Sequence, residues 1–393
     1  MRLAFVFSFL LFACSSGAPA ASDAGPDAYG HKSFDAAAPE VEAGPPPVDC
    51  DAGATPSASY PAPHPAMPLA TSEGGPTMAA PRFVPIVFAA EDRTSDIGAF
   101  MKSIAASTYW SSIASQYGIG TPTTIDPIVV SETPASTMTD GDIVTWITGK
   151  LDGTHADFGA ADASSIYVIY YPSTTTIAAS LGPSCGLWGG YHAETKVGAT
   201  KVVFAVIARC NGEAMSSITA HELFEAASDP YIATAPAYLT VSDAMEQYGF
   251  GSEIGDLCES NPNIVPADVG YPVPPIWSNL ASAAGHNPCQ PSSGPYFRTV
   301  SERYVSMAPG ETKTIDLVAF SDADTGGPWT VKLDANAAIG DKVAFTLCRT
   351  SIQNGETIPL TITRPDTAVN DTTITITSTL GSRSTYWVFD VGN

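Results

Sequence analysis

His221, Glu222 and Glu225 are the residues of this chain best placed to act on one chemical centre. They sit in Ser216-Ser217-Ile218-Thr219-Ala220-His221-Glu222-Leu223-Phe224-Glu225-Ala226-Ala227-Ser228-Asp229-Pro230, where small and apolar residues surround one imidazole and two glutamates. Hydroxyl residues able to cap a helix open the stretch and Pro230 closes it, so the pattern predicts a short, mostly buried helix. On that helix His221 and Glu225 leave from one face and can close on a single ion, with Glu222 beside them.

The pattern His-Glu-x-x-Glu resembles the zinc-hydrolase helix His-Glu-x-x-His, with glutamate in place of the second histidine. A catalytic zinc takes three protein ligands and keeps one position open. The third donor must come from outside the helix motif, and the candidates are His192, Asp229, Glu253 and Asp256. Asp229 continues the four-residue spacing, but beside Pro230 its ordinary work is to cap a turn. Glu253 and Asp256 lie in an irregular segment after the helix, where zincin-like architectures recruit their last ligand, and Asp256 is favoured. The expected centre is therefore Zn²⁺ on His221, Glu225 and Asp256, with Glu253 as a further candidate and Glu222 as the base that takes a proton from water. Two carboxylate ligands neutralise more of the ion's charge than imidazoles do, which implies a weaker hydrolase or one helped by Tyr191 or His192 at the oxyanion. The competing reading is a buried hydrogen-bonded network without an ion. Burying several carboxylates with no cation is costly, which favours the metal.

The elements that must position these residues alternate. Residues 83–88 read as a strand, followed by a helix capped at Ser95 or Asp96 that continues to Gly118. A strand near 125–130 and a helix near 140–151 repeat the unit, and residues 166–171 and 201–208 are continuous apolar runs typical of buried strands. The fold class expected for 81–295 is α+β, a zincin-like α/β sandwich. Beyond it, 296–393 shows period-two runs such as Trp329-Thr330-Val331-Lys332-Leu333 and Thr373-Ile374-Thr375-Ile376-Thr377, which predict a small all-β, immunoglobulin-like sandwich. That region holds no histidine, which argues against a metal centre there.

The 393 residues, 44% of them hydrophobic, are enough for two or three domains. A net charge of −23, from 17 basic against 40 acidic residues, excludes electrostatic binding to a phosphate backbone, so nucleic acid is not an expected partner. Met1-Arg2 and the apolar run to Ala13 have the form of a secretory signal, too short to span a bilayer. The ending Leu11-Phe12-Ala13-Cys14 resembles a bacterial lipobox: residues 1–14 are read as a lipoprotein signal with Cys14 as the lipidation site, and Ser15 after it fits sorting to the outer membrane. Residues 15–80, rich in Ala, Pro, Gly and Ser, lack apolar periodicity and are expected to be a disordered tether.

Export places the remaining cysteines in an oxidising compartment. Six cysteines allow fifteen connectivities. Cys185 with Cys210 would staple the Gly-rich loop 186–192 to the following strand, and Cys258 with Cys289 would clamp the segment carrying Asp256. Cys50 and Cys348 are left unassigned.

The residues His221-Glu222-Leu223-Phe224-Glu225, Ser228-Asp229-Pro230, Glu253-Ile254-Gly255-Asp256-Leu257-Cys258-Glu259 and Trp277-Ser278-Asn279 recur together and in order in another family. With the strand at 83–88, Tyr109-Trp110, Tyr117, Cys185 and Tyr191-His192, they resemble the Exordium or phosphate-induced-protein-like family and its bacterial secreted relatives. The resemblance covers about 83–289. It implies an extracellular protein and supports His221, Glu222, Glu225, Glu253 and Asp256 as a site, while saying little about the reaction. The expected function is a surface-tethered, zinc-dependent hydrolase acting on a peptide or cell-envelope substrate. The alternative is a non-catalytic envelope-binding or adhesion protein whose metal or carboxylate network is structural. Aromatic stacking of sugars on Trp188, Tyr191 or Trp277 is a weaker third reading.

Overall fold

Strand β1 (Arg82–Phe88) sends Phe83 and Val87 to one side of its sheet and Val84, Ile86 and Phe88 to the other, and all five are buried. A strand apolar on both faces needs cover on both. The helices supply it in chain order: α1 (Thr94–Ala106) and α2 (Thr108–Ala114), then α3 (Asp140–Lys150). Between them run β2 (Thr123–Thr124), β3 (Ile128–Val130) and β4 (Thr137–Thr139). Then come β5 (Ser165–Tyr171), β6 (Thr176–Ala179), β7 (Gly182–Pro183), β8 (Gly190–Val197), β9 (Thr200–Ala208) and helix α4 (Met215–Ser228).

The main sheet has the order β2-β1-β5-β9-β8, with β3 also pairing to β1. Strands β1, β5 and β9 are parallel, and β8 pairs antiparallel to β9 at the edge. Ile166, Val168 and Tyr170 of β5 and Val203, Ala205 and Ile207 of β9 share a core with α1, α2 and α4. Tyr167, Ile169, Val202, Phe204 and Val206 pack on the opposite side with Ile143 and Ile147 of α3. Helices therefore sandwich the sheet.

The structure is a computed structural model. It describes residues 49–50, 53, 55–89, 91–180, 182–186, 188–239, 253–335 and 342–392. The signal and lipidation site read at 1–14 and Cys14, and the tether through residue 48, lie outside the described residues. No described helix is long and apolar enough to cross a membrane.

The second half of the tether reading needs correction. Residues 55–80 are held along the folded chain. Asn354 accepts from the Ala62 amide and donates to the carbonyls of Ser57 and Ser59, and Asn279 brackets Ala70 through both its backbone groups. The Met78 amide donates to the Ala227 carbonyl, and Cys50 is disulfide-bonded to Cys348. Composition misleads here because Ala62, Met67, Ala70 and Met78 bury against cores that other segments build.

After α4 the chain runs through β10 (Ile276–Trp277), helix α5 (Asn279–Ala283) and β11 (Cys289–Gln290). The remaining strands are β12 (Phe297–Val300), β13 (Tyr304–Ser306), β14 (Thr312–Ser321), β15 (Trp329–Ala335), β16 (Ala344–Leu347), β17 (Ser351–Ile352), β18 (Thr357–Thr363), β19 (Thr372–Leu380) and β20 (Arg383–Gly392). They form one sheet ordered β12-β14-β18-β16 and another ordered β13-β20-β19-β15-β17. Their inward residues, among them Leu317, Leu360, Ile376, Trp329 and Trp387, make one shared core. The whole is a mixed α+β chain in which sheet predominates.

Candidate metal centre

Helix α4 is pinned by its apolar face. Ala220, Leu223, Phe224 and Ala227 are fully buried, Phe224 stacks on Trp110 at 4.3 Å between centroids, and Thr219 bonds to the Tyr170 hydroxyl. Burying a phenylalanine in this way is worth about 1.5–3 kcal/mol, enough to fix the helix's rotation. The other face then presents His221, Glu222 and Glu225 to strand β8 and to the segment after residue 252. The helix does not start on a side-chain cap as the sequence implied: Ser216 and Ser217 turn outward to the Pro272 carbonyl and the Asn263 side chain. Those bonds tie its first turn to the loop before β10.

The segment carrying Glu253 and Asp256 is fixed from below. The Trp277 amide donates to the Ile254 carbonyl, the Tyr117 hydroxyl donates to the Trp277 carbonyl, and Cys258 is bonded to Cys289. Gly255 lets this backbone come close, since a Cβ there would stand 2.7 Å from Glu225 Oε1 and 3.0 Å from His221 Nδ1. The disulfide Cys185–Cys210 ties the start of β8 to the end of β9, and both it and Cys258–Cys289 are pairs the sequence pointed to.

Two donor sets result, and Glu225 belongs to both. His221 Nε2 lies 3.0 Å from Glu225 Oε1 and 3.2 Å from Asp256 Oδ1. His192 lies 3.8 Å from Glu225 Oε2 through Nδ1 and 3.6 Å from Glu253 Oε1 through Nε2, with Glu222 Oε2 3.7 Å from Nδ1. Within each set, His221–Glu225–Asp256 and His192–Glu225–Glu253, the ligand atoms lie within 4.8 Å of one another. Either set offers one imidazole and two carboxylates, a donor chemistry suited to zinc and related divalent ions.

The electrostatics follow from burial. Burial opposes a charge on His192, but Glu253, Glu222 and Glu225 outweigh it and lift its pKa to about 10. Burial likewise opposes a charged His221, and Glu225 and Asp256 carry its pKa well above the usual imidazole value. Burial and the neighbouring Asp256 push Glu225 up to about 7, and burial raises Glu253 well above the carboxylate range despite His192. Asp256 resists burial because it bonds His221, which holds its pKa below normal. Perturbed groups packed together cluster at functional sites and also arise in structural ion-pair networks, which makes this group a candidate site.

The structure also redistributes the remaining candidates. Residues 190–192 belong to strand β8, not to a loop, and strand alternation separates Tyr191 from His192. His192 faces α4. Tyr191 packs on the other side against Trp188 and donates to Asp140 Oδ1 at 2.9 Å, so it is no oxyanion helper. Asp229 is buried and accepts from the Ala237 amide, the capping work expected beside Pro230, and its carbonyl lies 3.3 Å from His192 Nε2. Trp277 is core and not a sugar platform. The sequence offers His192 both as a third ligand and as an oxyanion helper but does not show it to be on a strand, because the period-two run from Tyr191 to Val197 is masked by the preceding glycines.

A cavity of about 430 Å³ opens beside His221 and Glu222, lined also by Trp188, Gly190, Glu213, Ile218, Glu259 and Asn261. Gly190 keeps it open at the base of Glu222, where a Cβ would meet Ile218 at 2.6 Å and Glu222 Oε1 at 3.0 Å.

No known protein family and no curated protein matches the chain. Among solved structures it is similar to domains 4 and 5 of the S-layer protein SbsC, at 17% identity and a TM-score of 0.20 over 26% of this chain and 55% of that one. It is also similar to the titin M3 domain, at 15% identity and a TM-score of 0.17 over 25% of this chain and 93% of that one. The chain thus spans about half the length of the SbsC fragment it matches. Likeness at these TM-scores carries neither fold nor function across.

Proposed function

We propose that the chain is a secreted, metal-dependent hydrolase of zincin-like build, a peptidase, with Zn²⁺ on His221, Glu225 and Asp256 and Glu222 as general base. The observation that carries this reading is the placement of Glu222. It lines the open cavity beside His221, while Glu225 and Asp256 close on His221 from within. Zinc bound in such a set would polarise a substrate carbonyl and lower the pKa of water. Glu222 then takes a proton from the attacking water and returns it to the departing amine, a role worth about 10²–10⁴ in rate.

Strand β8 supports a peptide substrate. Among the described residues it pairs with β9 alone, so its outer edge can take an extended chain as one more strand. Glu213 and Glu259 on the cavity wall favour neutral or basic side chains there. The reading includes place as well as chemistry: export on the 1–14 signal, lipid attachment at Cys14 to the outer membrane, and a terminal immunoglobulin-like sandwich. Three disulfides suit that oxidising setting, and the Exordium-like motifs point the same way.

The test is Glu222→Gln in the full chain, assayed on a protein and peptide panel with zinc measured in parallel. Retained zinc with hydrolysis reduced about 10²–10⁴-fold is expected. Unchanged hydrolysis sinks the assignment of Glu222. Zinc without activity in the unsubstituted chain favours the envelope-binding alternative with a structural ion.

A further inference from the structure

The His192 side of the centre is left without work by a single ion on His221, Glu225 and Asp256. Glu253 Oε1 is buried and makes no hydrogen bond among the described residues, in a residue only 6% exposed. Its nearest basic neighbour, His192 Nε2, stands 3.6 Å away and lies 3.3 Å from the Asp229 carbonyl, while His192 Nδ1 stands 3.7 Å from Glu222 and 3.8 Å from Glu225. The three carboxylate separations exceed hydrogen-bond length. One ring nitrogen of His192 and one oxygen each from Glu225 and Glu253 lie within 4.8 Å of one another, a set that closes on one ion as the side chains draw in to the donor spacing of about 3.4 Å around a tetrahedral zinc.

Glu225 connects this pocket to the first. Its Oε1 faces His221 and accepts from the Asp256 amide, while its Oε2 faces His192. One carboxylate directed at two donor sets through its two oxygens is the arrangement that bridges paired ions, which stand about 3.5–4 Å apart in two-metal enzymes. Charge argues the same way. Glu222, Glu225, Glu253 and Asp256 place four carboxylates around two imidazoles. With neutral imidazoles, one divalent ion leaves a buried double negative charge, whereas two balance the four.

We propose that the centre is dinuclear: a second divalent ion sits between His192, Glu225 and Glu253, and Glu225 bridges it to the ion on His221 and Asp256. The proposal rests on the reading of the first ion given above. Glu222, next to both imidazoles, then stands at the open side of the pair, and the second ion supplies the charge stabilisation that Tyr191 cannot. The donors are nitrogen and oxygen only, because Cys185, Cys210, Cys258 and Cys289 are spent in disulfides, so the class of ion is zinc or manganese and not a thiolate-bound metal.

The experiment strips the full chain with chelator, titrates it with ZnCl₂ and counts bound zinc by elemental analysis after dialysis. The unsubstituted chain should hold two per molecule, His192→Ala one, and His221→Ala one. Loaded with Mn²⁺ instead, the unsubstituted chain should give the electron paramagnetic resonance signal of a spin-coupled pair, and His192→Ala the spectrum of an isolated ion. The manganese measurement needs no variant to fold for its first result. One zinc per chain, kept by His192→Ala and lost from His221→Ala, overturns the second ion and leaves the hydrolase reading standing. Two uncoupled ions overturn the bridge. No bound metal in the unsubstituted chain overturns both.

Discussion

Gly255→Ala tests how tightly the centre depends on the approach of a single backbone segment. The backbone itself tolerates alanine, with φ −76° and ψ −50°, so any effect comes from the added methyl. That methyl would stand 2.7 Å from Glu225 Oε1, closer than real Cβ contacts allow, and 3.0 Å from both Nδ1 and Cε1 of His221, tighter than most. Relief needs a shift of roughly half an ångström in Glu225, His221 or the 253–258 segment, and that segment is anchored by Trp277 and the Cys258–Cys289 bridge. Overpacking of this kind costs about 1–3 kcal/mol. Because the crowded atoms are donors, the larger effect falls on metal affinity: displacing supported ligands typically costs about 10–100-fold. Zinc affinity by competition with a chelating dye, and melting with and without chelator, separate the two. The variant should melt a few degrees lower and bind zinc about 10–100-fold more weakly. Native zinc affinity in Gly255→Ala would refute the idea that this close approach positions Glu225 and His221.

The metal-free chain should lose stability as pH rises. Glu225, raised from 4.5 to about 7, keeps its proton when folded where the unfolded carboxyl has lost it; His192, raised from 6.5 to about 10, does the same at higher pH. In both windows the folded state binds the extra proton, so unfolding free energy falls from pH 4.5 towards 10, and added zinc should stabilise more at the alkaline end. Urea melts of stripped and loaded protein check this, and a flat profile counts against it. Replacing Cys258 and Cys289 by alanine opens a loop closed over 31 residues, a loss of about 3–4 kcal/mol in chain entropy, and should weaken zinc binding because Asp256 lies two residues from the bridge. Asn354→Ala removes the bonds to Ser57, Ser59 and Ala62, costs about 1–3 kcal/mol, and should make the 55–80 segment the first site of proteolysis.

The parts legible in the sequence share a feature: their signal is local. The four-residue spacing of His221 and Glu225 placed them on one helical face, and continuous apolar runs marked β5 and β9 as buried strands. Asp256 was favoured because it lies in the irregular segment just after the helix, where zincin-like architectures recruit their last ligand, and the structure sets it 3.2 Å from His221. His192 was seen but underrated, since its role depends on β8 pairing with β9 in the register that sets it opposite Ala205 and against α4. The order of residues 55–80 was invisible for a related reason. Their partners Asn279 and Asn354 lie more than two hundred residues away, and no pattern within the segment announces them.

The most direct measurement is the elemental content of the purified full chain at neutral pH, set beside its His221→Ala variant with all three disulfides intact. Bound divalent metal in the first and a clear loss in the second is the predicted result. A chain that comes out metal-free and takes up no zinc on titration would contradict the account, leaving His192, His221 and their carboxylates as a proton-sharing network alone.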